Sequence, residues 1–166
     1  YNTHGGEGGK INMVGNYYKQ GPAMFDTHKR SRNYFMTTHG TYTVKDIKHY
    51  PGHAHLYMEN NYYTPDLFAM NVDNWNGVII SNDGCPTEGT HLTSQLPIRP
   101  HGITTHVTTH SAAMACDRVL DYAGVDLHRD KDDRRVIQDT RNGAATILIG
   151  AKGSTNGLID TQSDAG

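Results

Sequence analysis

The sequence predicts an all-β fold of stacked strands with a short helical extension at its C-terminal end. The first reason is a phrase that occurs twice, as INMVGNYY at residues 11–18 and as LYMENNYY at residues 56–63. Apolar residues alternate in each copy as they do in a strand, which then runs into Asn and a Tyr pair. A strand that ends in the same way twice indicates stacked repeating units rather than a hairpin protein.

Composition is the second reason. The 166 residues are 36% hydrophobic and 19% charged, and Gly, Asn, Thr, His and Tyr make up much of the remainder. This profile is typical of a turn-rich β protein. The formal net charge of −2 provides no basic surface for nucleic acid. No run of ~18 apolar residues occurs, so we expect neither a nucleic-acid nor a membrane partner.

The strands are expected in the first two thirds of the chain, where Gly-Pro, Pro-Gly and Asn-Gly pairs separate apolar runs. The predicted strands are residues 11–18, 32–38, 41–45, 54–63 and 78–80. Few hairpin signals lie between them. Asn61 follows Asn16 by 45 residues, which indicates about two coils of a solenoid or one coil with a long loop. In such a stack the Asn amides can form a ladder beside stacked Tyr rings; the alternative is a chance likeness.

Helices are expected after residue 110. Ser111 can cap a helix that carries an apolar stripe and ends at Gly124, and a second helix is predicted from about Asp130 to Arg141, with Gly143 after it. Residues 145–149 could form a last strand. We therefore divide one domain into strands and wrapping loops over residues 1–110 and a helical extension with a tail over residues 111–166.

Four segments, in order along the chain, carry a resemblance to one enzyme family. They read GGEGGKINMVGNYYKQGPA (5–23), NNYY with VDNWNGV (60–63 and 72–78), VLDYAG with RD and DRRV (119–124, 129–130 and 133–136), and GLIDTQSD (157–164). Together they resemble pectate lyases of polysaccharide lyase family 1. Gly15 and Gln20 stand where that family commonly has Asn and Pro, and we expect each to weaken a local turn or ladder rung.

The resemblance implies a right-handed parallel β-helix, of which this chain would hold the late coils, and it implies secretion. It also implies Ca²⁺-dependent cleavage of α-1,4-polygalacturonate, the backbone of pectin, by β-elimination. In that family the catalytic Arg and the calcium ligands precede the GGEGG segment. The chain has no such Arg segment, so we assign no catalytic and no metal-binding residue. The chain is thus expected to be the C-terminal portion of the enzyme, with its N-terminal half as a partner.

β-Elimination requires a base at the C5 proton, a cation that stabilises charge growing on the uronate carboxylate, and departure of the oxygen at C4. Ca²⁺ suits the second role because it prefers carboxylate oxygens. The anionic polymer also needs cations and aromatic rings along its groove. The candidate substrate-binding residues are Lys10, Lys19, Arg30, Arg32, Tyr17 and Tyr18. Strand alternation points one of the two tyrosines inward, so at least one is expected in the core or a stack.

Other constellations carry weaker hypotheses. His53 and His55 would share one face of a strand as a metal pair, although no known zinc spacing surrounds them. Cys85 and Cys116 are either a disulfide or free thiols. The Asp residues from 130 to 139 are interpreted as helix charges rather than a calcium loop. The alternative function is a carbohydrate-binding or structural β-solenoid that lacks the chemistry.

Overall fold

The computed structural model describes residues 3–6, 8–21, 34–64, 68–96 and 108–146. Short strands dominate the first half of this described part, and helices dominate its end. The strands are β1 (Thr3–Gly6), β2 (Lys10–Val14), β3 (Tyr17–Lys19), β4 (Met36–His39), β5 (Tyr42–Val44), β6 (Ile47–His49), β7 (His55–Glu59), β8 (Tyr62–Thr64) and β9 (Val78–Ile80). The α-helices are α1 (Phe68–Val72), α2 (Ala112–Tyr122) and α3 (Lys131–Asn142), and a 3₁₀ helix spans Asn74–Gly77.

The strands form four small sheets. Strands β1, β4 and β9 lie side by side in that order and run parallel. Strand β2 pairs in parallel with β7, from Lys10 opposite His55 to Val14 opposite Glu59. Strand β3 pairs with β8, and β5 forms an antiparallel pair with β6. No sheet of the described residues has more than three strands.

The prediction of an all-β, right-handed parallel β-helix is wrong. The described residues form short parallel and antiparallel pairs in separate small sheets, together with three α-helices, and no solenoid is shown. The repeated phrase is paired locally as expected, because its two copies lie opposite each other in β2 and β7. Pairing of one repeat specifies a two-stranded contact, whereas a solenoid requires the same connection to recur along the chain.

Gly15 ends β2 and is required by its surroundings, contrary to the expected weakening. Its φ is +68°, in the left-handed region that favours glycine. A Cβ atom added there would lie 2.7 Å from the carbonyl oxygen of His110. The Asn that is common at this position in the resembling family would therefore clash with that oxygen, whereas Gly lets the two backbone segments approach closely.

The described core consists of two adjacent clusters. One contains Met13, Met36, Ala54 and Leu56, and the other contains Phe35, Tyr63 and Met70. Tyr18 and Met58 pack against both clusters. Gly77 allows the close approach of Phe35, because an added Cβ would lie 2.5 Å from a ring carbon. The strands are thus held by a few apolar side chains from several elements rather than by one long sheet.

The hairpin of β5 and β6 was not expected. Lys45 and Asp46, which connect the two strands, have φ values of +48° and +65°. Two consecutive residues with positive φ match the type I′ turn, whose twist suits a two-residue hairpin. The usual sequence signal for that turn is Asn-Gly or Asp-Gly, and Lys-Asp does not give it. The predicted strand at 41–45 is confirmed at Tyr42–Val44.

Both predicted helices are present. Ser111 accepts a hydrogen bond on Oγ from the Met114 N–H at 3.3 Å, at the start of α2. Asp130 and Asp133 form a capping box at the start of α3, and Gly143 follows it with φ +63°. Helix α1 and the 3₁₀ helix were missed. Residues 145 and 146 are not in a strand, and the rest of the predicted last strand lies outside the described residues.

Backbone contacts divide the chain into two compact units. Unit 1 comprises Tyr1–Tyr18 and Asn33–Ala115, and unit 2 comprises Lys19–Arg32 and Cys116–Gly166. Both core clusters belong to unit 1. Within the described residues, no helix is long and apolar enough to cross a membrane.

Candidate functional site

A ladder of three asparagine side chains joins distant segments of unit 1. The Asn16 Nδ2 donates to Asn61 Oδ1 at 2.8 Å, and Asn61 Nδ2 donates to Asn74 Oδ1 at 3.0 Å. Asn61 also donates to the Met13 carbonyl at 2.8 Å, while Asn74 donates to the Asn61 carbonyl at 2.9 Å. The predicted amide ladder is confirmed between Asn16 and Asn61. Asn74 extends it from a 3₁₀ helix rather than from a strand.

Tyrosine rings lie beside the ladder in two pairs. Tyr17 and Tyr62 have ring centroids 5.4 Å apart and tilted by 34°. Tyr18 and Tyr63 are stacked with centroids 6.4 Å apart, and both contact Phe35. The expectation that one tyrosine of the phrase serves the core is confirmed by Tyr18. Tyr17 is the ring that remains on the side of a cavity.

The cavity has a volume of about 920 Å³ and belongs wholly to unit 1. The end of the repeated phrase lines it with Tyr17, Asn60 and Tyr62, and Gln95 and His110 also line it. Asn60 has φ +55°, a conformation that Asn adopts more readily than most residues. The left-handed turn at Asn60 thus changes the chain direction between β7 and β8, at the edge of the cavity.

The predicted substrate-binding lysines have different surroundings. Lys10 is exposed at the start of β2. Lys19 Nζ donates to the Arg141 carbonyl at 2.9 Å, in the last turn of α3. A cation at that position is favoured by the partial negative charge of the helix C-terminus, so Lys19 has a structural role in unit 2. Neither lysine lines the cavity. Arg30 and Arg32 lie outside the described residues.

A second polar cluster surrounds the Asp83 carboxylate in unit 1. Its Oδ2 accepts hydrogen bonds from the Gly40 N–H at 2.5 Å and the Ser81 hydroxyl at 2.8 Å, and its Oδ1 accepts from the Cys85 N–H at 3.2 Å. Desolvation opposes the charge, but these donors and the nearby His53 imidazole hold the pKa of Asp83 well below its usual range. The carboxylate therefore fastens two loops.

The two histidines of the proposed metal pair have different partners. His53 is buried, and its Nε2 lies 3.2 Å from Asp83 Oδ1. His55 Nδ1 instead forms a hydrogen bond with the Gly89 carbonyl. Within the described ranges, no group of three or more His, Cys, Asp or Glu side chains could hold a metal ion. Cys85 and Cys116 are free thiols, so the disulfide alternative is not realised.

Sequence reasoning missed parts of the ladder and of the cavity. Asn74, which extends the ladder, and Gln95, which lines the cavity, were not singled out as site residues, because neither belongs to the repeated phrase. A signal existed for Asn74, which lies in the VDNWNGV segment of the resemblance. Gln95 and His110 lie in segments of irregular sequence, where no periodicity predicts which side chains converge.

No family model, no curated protein and no solved structure matches this chain. The resemblance to pectate lyases therefore rests on the four sequence segments themselves.

Proposed function

We propose that the chain is the C-terminal portion of a secreted pectate lyase that cleaves α-1,4-polygalacturonate by β-elimination. One observation carries the proposal: two of the four segments that resemble the family converge in space. Asn16 of the first segment forms one hydrogen-bonded ladder with Asn61 and Asn74 of the second. Sequence stretches that match one family in order and also contact one another support common ancestry more strongly than scattered matches would.

In this proposal the chain supplies structure and substrate surface. Calcium would neutralise the uronate carboxylate during proton removal. The described residues contain no cluster that fits it, so its ligands and the catalytic Arg are assigned to the N-terminal half of the enzyme. Lys10 is the best-placed described candidate for a substrate carboxylate because it is exposed on a strand of the ladder region.

The decisive experiment uses a protein that contains this chain together with the catalytic half. We expect polygalacturonate to yield unsaturated uronides, measured by their ultraviolet absorbance, in calcium and not in chelator. The 166-residue chain alone is expected to give no product. Absence of product from the complete protein would exclude the lyase. Calcium-dependent turnover by the isolated chain would show that the catalytic residues had been placed in the wrong part.

A lysine pair tests the binding surface. Lys10→Ala should weaken polygalacturonate binding about threefold, in line with one exposed ion pair of roughly 0.6 kcal/mol. Lys48→Ala is the matched control, because Lys48 lies on the hairpin with its Nζ 5.0 Å from the centre of the Tyr50 ring. An equal loss in both variants would indicate general electrostatic attraction. Binding without any product would favour the alternative function, a non-catalytic carbohydrate-binding protein.

A further inference from the structure

The cavity of unit 1 has a composition unlike that of a polyanion groove. Of the described residues that line it, only Glu59 is an Asp, Glu, Lys or Arg. Among the described lining residues, a galacturonate carboxylate placed there would meet one acidic side chain and no Lys or Arg. Because like charges at short distance repel, the cavity disfavours the substrate of the proposed lyase.

The walls of the cavity suit an uncharged, hydroxyl-rich ligand. Tyr17 and Tyr62 form adjacent aromatic surfaces, against which the C–H groups of a sugar ring can pack. Asn60 and Gln95 offer side-chain amides that both donate and accept hydrogen bonds. Glu59 adds a carboxylate that accepts hydrogen bonds from hydroxyl groups. Hydroxyls are both donors and acceptors, so a neutral sugar can satisfy all of these groups.

The size and rigidity of the cavity are also appropriate. Its volume of about 920 Å³ is within the usual range for small-ligand sites. The wall that bears Tyr62 is fixed by the asparagine ladder, because the Tyr62 N–H donates to the Asn16 carbonyl at 2.9 Å. Asn71, also in the wall, is fixed by two hydrogen bonds with the backbone of Tyr63. Fixed walls reduce the conformational entropy that the protein loses when a ligand binds.

Glu59 has a further contact on its own strand. It interacts with the Tyr57 hydroxyl, and a hydrogen bond to the Glu59 carboxylate, followed by burial and by the charge of Glu59, raises the pKa of Tyr57. Glu59 therefore has a partner within β7 as well as a place in the lining of the cavity.

We propose that this cavity binds a short neutral oligosaccharide, with Tyr17 and Tyr62 as the aromatic surface and Glu59, Asn60 and Gln95 as hydrogen-bonding groups. The site is separate from the lyase proposal and does not depend on it. It would hold an uncharged glycan beside a polymer bound elsewhere, or serve as the sole binding site of the chain.

The test is calorimetric titration of the 166-residue chain with four probes. Three are neutral, namely maltotriose, cellotriose and β-1,4-galactotriose, and the fourth is trigalacturonate. We expect at least one neutral trisaccharide to bind at least tenfold more tightly than trigalacturonate. Failure of all three neutral probes, or tighter binding of trigalacturonate, would overturn the proposal. The titration measures binding and not cleavage of polygalacturonate. A negative titration would therefore overturn the neutral-glycan site and leave the lyase proposal to its own test.

Variants test whether the neutral probe binds in the cavity. Tyr62→Ala should weaken the neutral probe about tenfold, and Tyr62→Phe should retain most of the affinity because the ring remains. Tyr42→Ala is the matched control, since Tyr42 is 42% exposed compared with 37% for Tyr62 and stacks on His49 of the hairpin. If Tyr62→Ala does not fold, exposed Gln95→Ala serves instead and should also weaken binding. Unchanged affinity in the folded variants would place the sugar elsewhere and contradict the proposal.

Discussion

Asn61 shows at the scale of one residue how a buried amide can join three segments. It is 2% exposed, and its side chain donates to Met13 and Asn74 while it accepts from Asn16. Each polar atom of the amide therefore has a partner. A buried amide with complete hydrogen bonding stabilises a unique packing, and the same site is costly once one atom loses its partner.

Substitution of Asn61 tests this role. Asn61→Asp keeps the shape but replaces the donating amine with an oxygen that faces the Met13 carbonyl and Asn74 Oδ1. We expect a loss of about 3 kcal/mol in the free energy of unfolding, measured with urea. Asn16→Ala is the control, because Asn16 is exposed and its removal should cost about 1 kcal/mol. Equal losses of unfolding free energy in the two variants would show that burial of Asn61 does not determine how strongly the ladder stabilises the fold.

Asp83 gives a prediction for pH dependence. Its pKa in the folded chain lies below the ordinary value of 3.8, so the folded state binds fewer protons than the unfolded state as the pH falls. The stabilisation is therefore complete above about pH 4 and is lost at more acidic pH as the folded carboxylate becomes protonated. Asp83→Asn should be less stable than the native chain at pH 7, and the difference should shrink below pH 4. Urea unfolding from pH 3 to pH 7 measures it; a constant difference would contradict the assignment.

At the scale of elements, sequence reasoning succeeded where a local rule determined the structure. The capping signals of α2 and α3 predicted both helices, because an N-cap side chain and a C-terminal glycine act within a few residues. The alternation of INMV and LYME likewise predicted β2 and β7. In each of these elements the residues that decide the conformation are neighbours in sequence.

The missed elements depend on contacts that local patterns do not encode. The β5–β6 hairpin turns through Lys45 and Asp46, and this pair is not one of the sequence signals that predict a type I′ turn. Helix α1 has only five residues, too few for an apolar period to be recognised. The cavity is harder still to predict, because only the packing of unit 1 brings Gln95 and His110 to the same cavity as Tyr62. Residue types predicted a substrate surface of Lys, Arg and Tyr, and of its described members only Tyr17 lines the cavity.

At the scale of the whole molecule, the described apolar burial is concentrated in unit 1. Phe35, Met36 and Leu56 are fully buried there, whereas α3 in unit 2 has no buried residue and exposes half of Val136. Amphipathic helices in proteins gain most of their stability from packing of the apolar face, since short isolated helices are marginal in water. The strands that carry Met36 and Leu56 should therefore open less often than α3.

Amide hydrogen exchange of the 166-residue chain tests this difference. After correction for intrinsic rates, the Leu56 amide should be among the slowest, because it donates to the Thr90 carbonyl at 2.6 Å and its side chain is buried. The amides of α3 at Val136 and Ile137 should exchange at least tenfold faster, since fewer apolar contacts oppose local opening. Equal protection would mean that a further surface covers α3, and low concentrations of urea would then expose Leu56 and α3 together. Faster exchange confined to α3 would instead identify it as an independently opening element of unit 2.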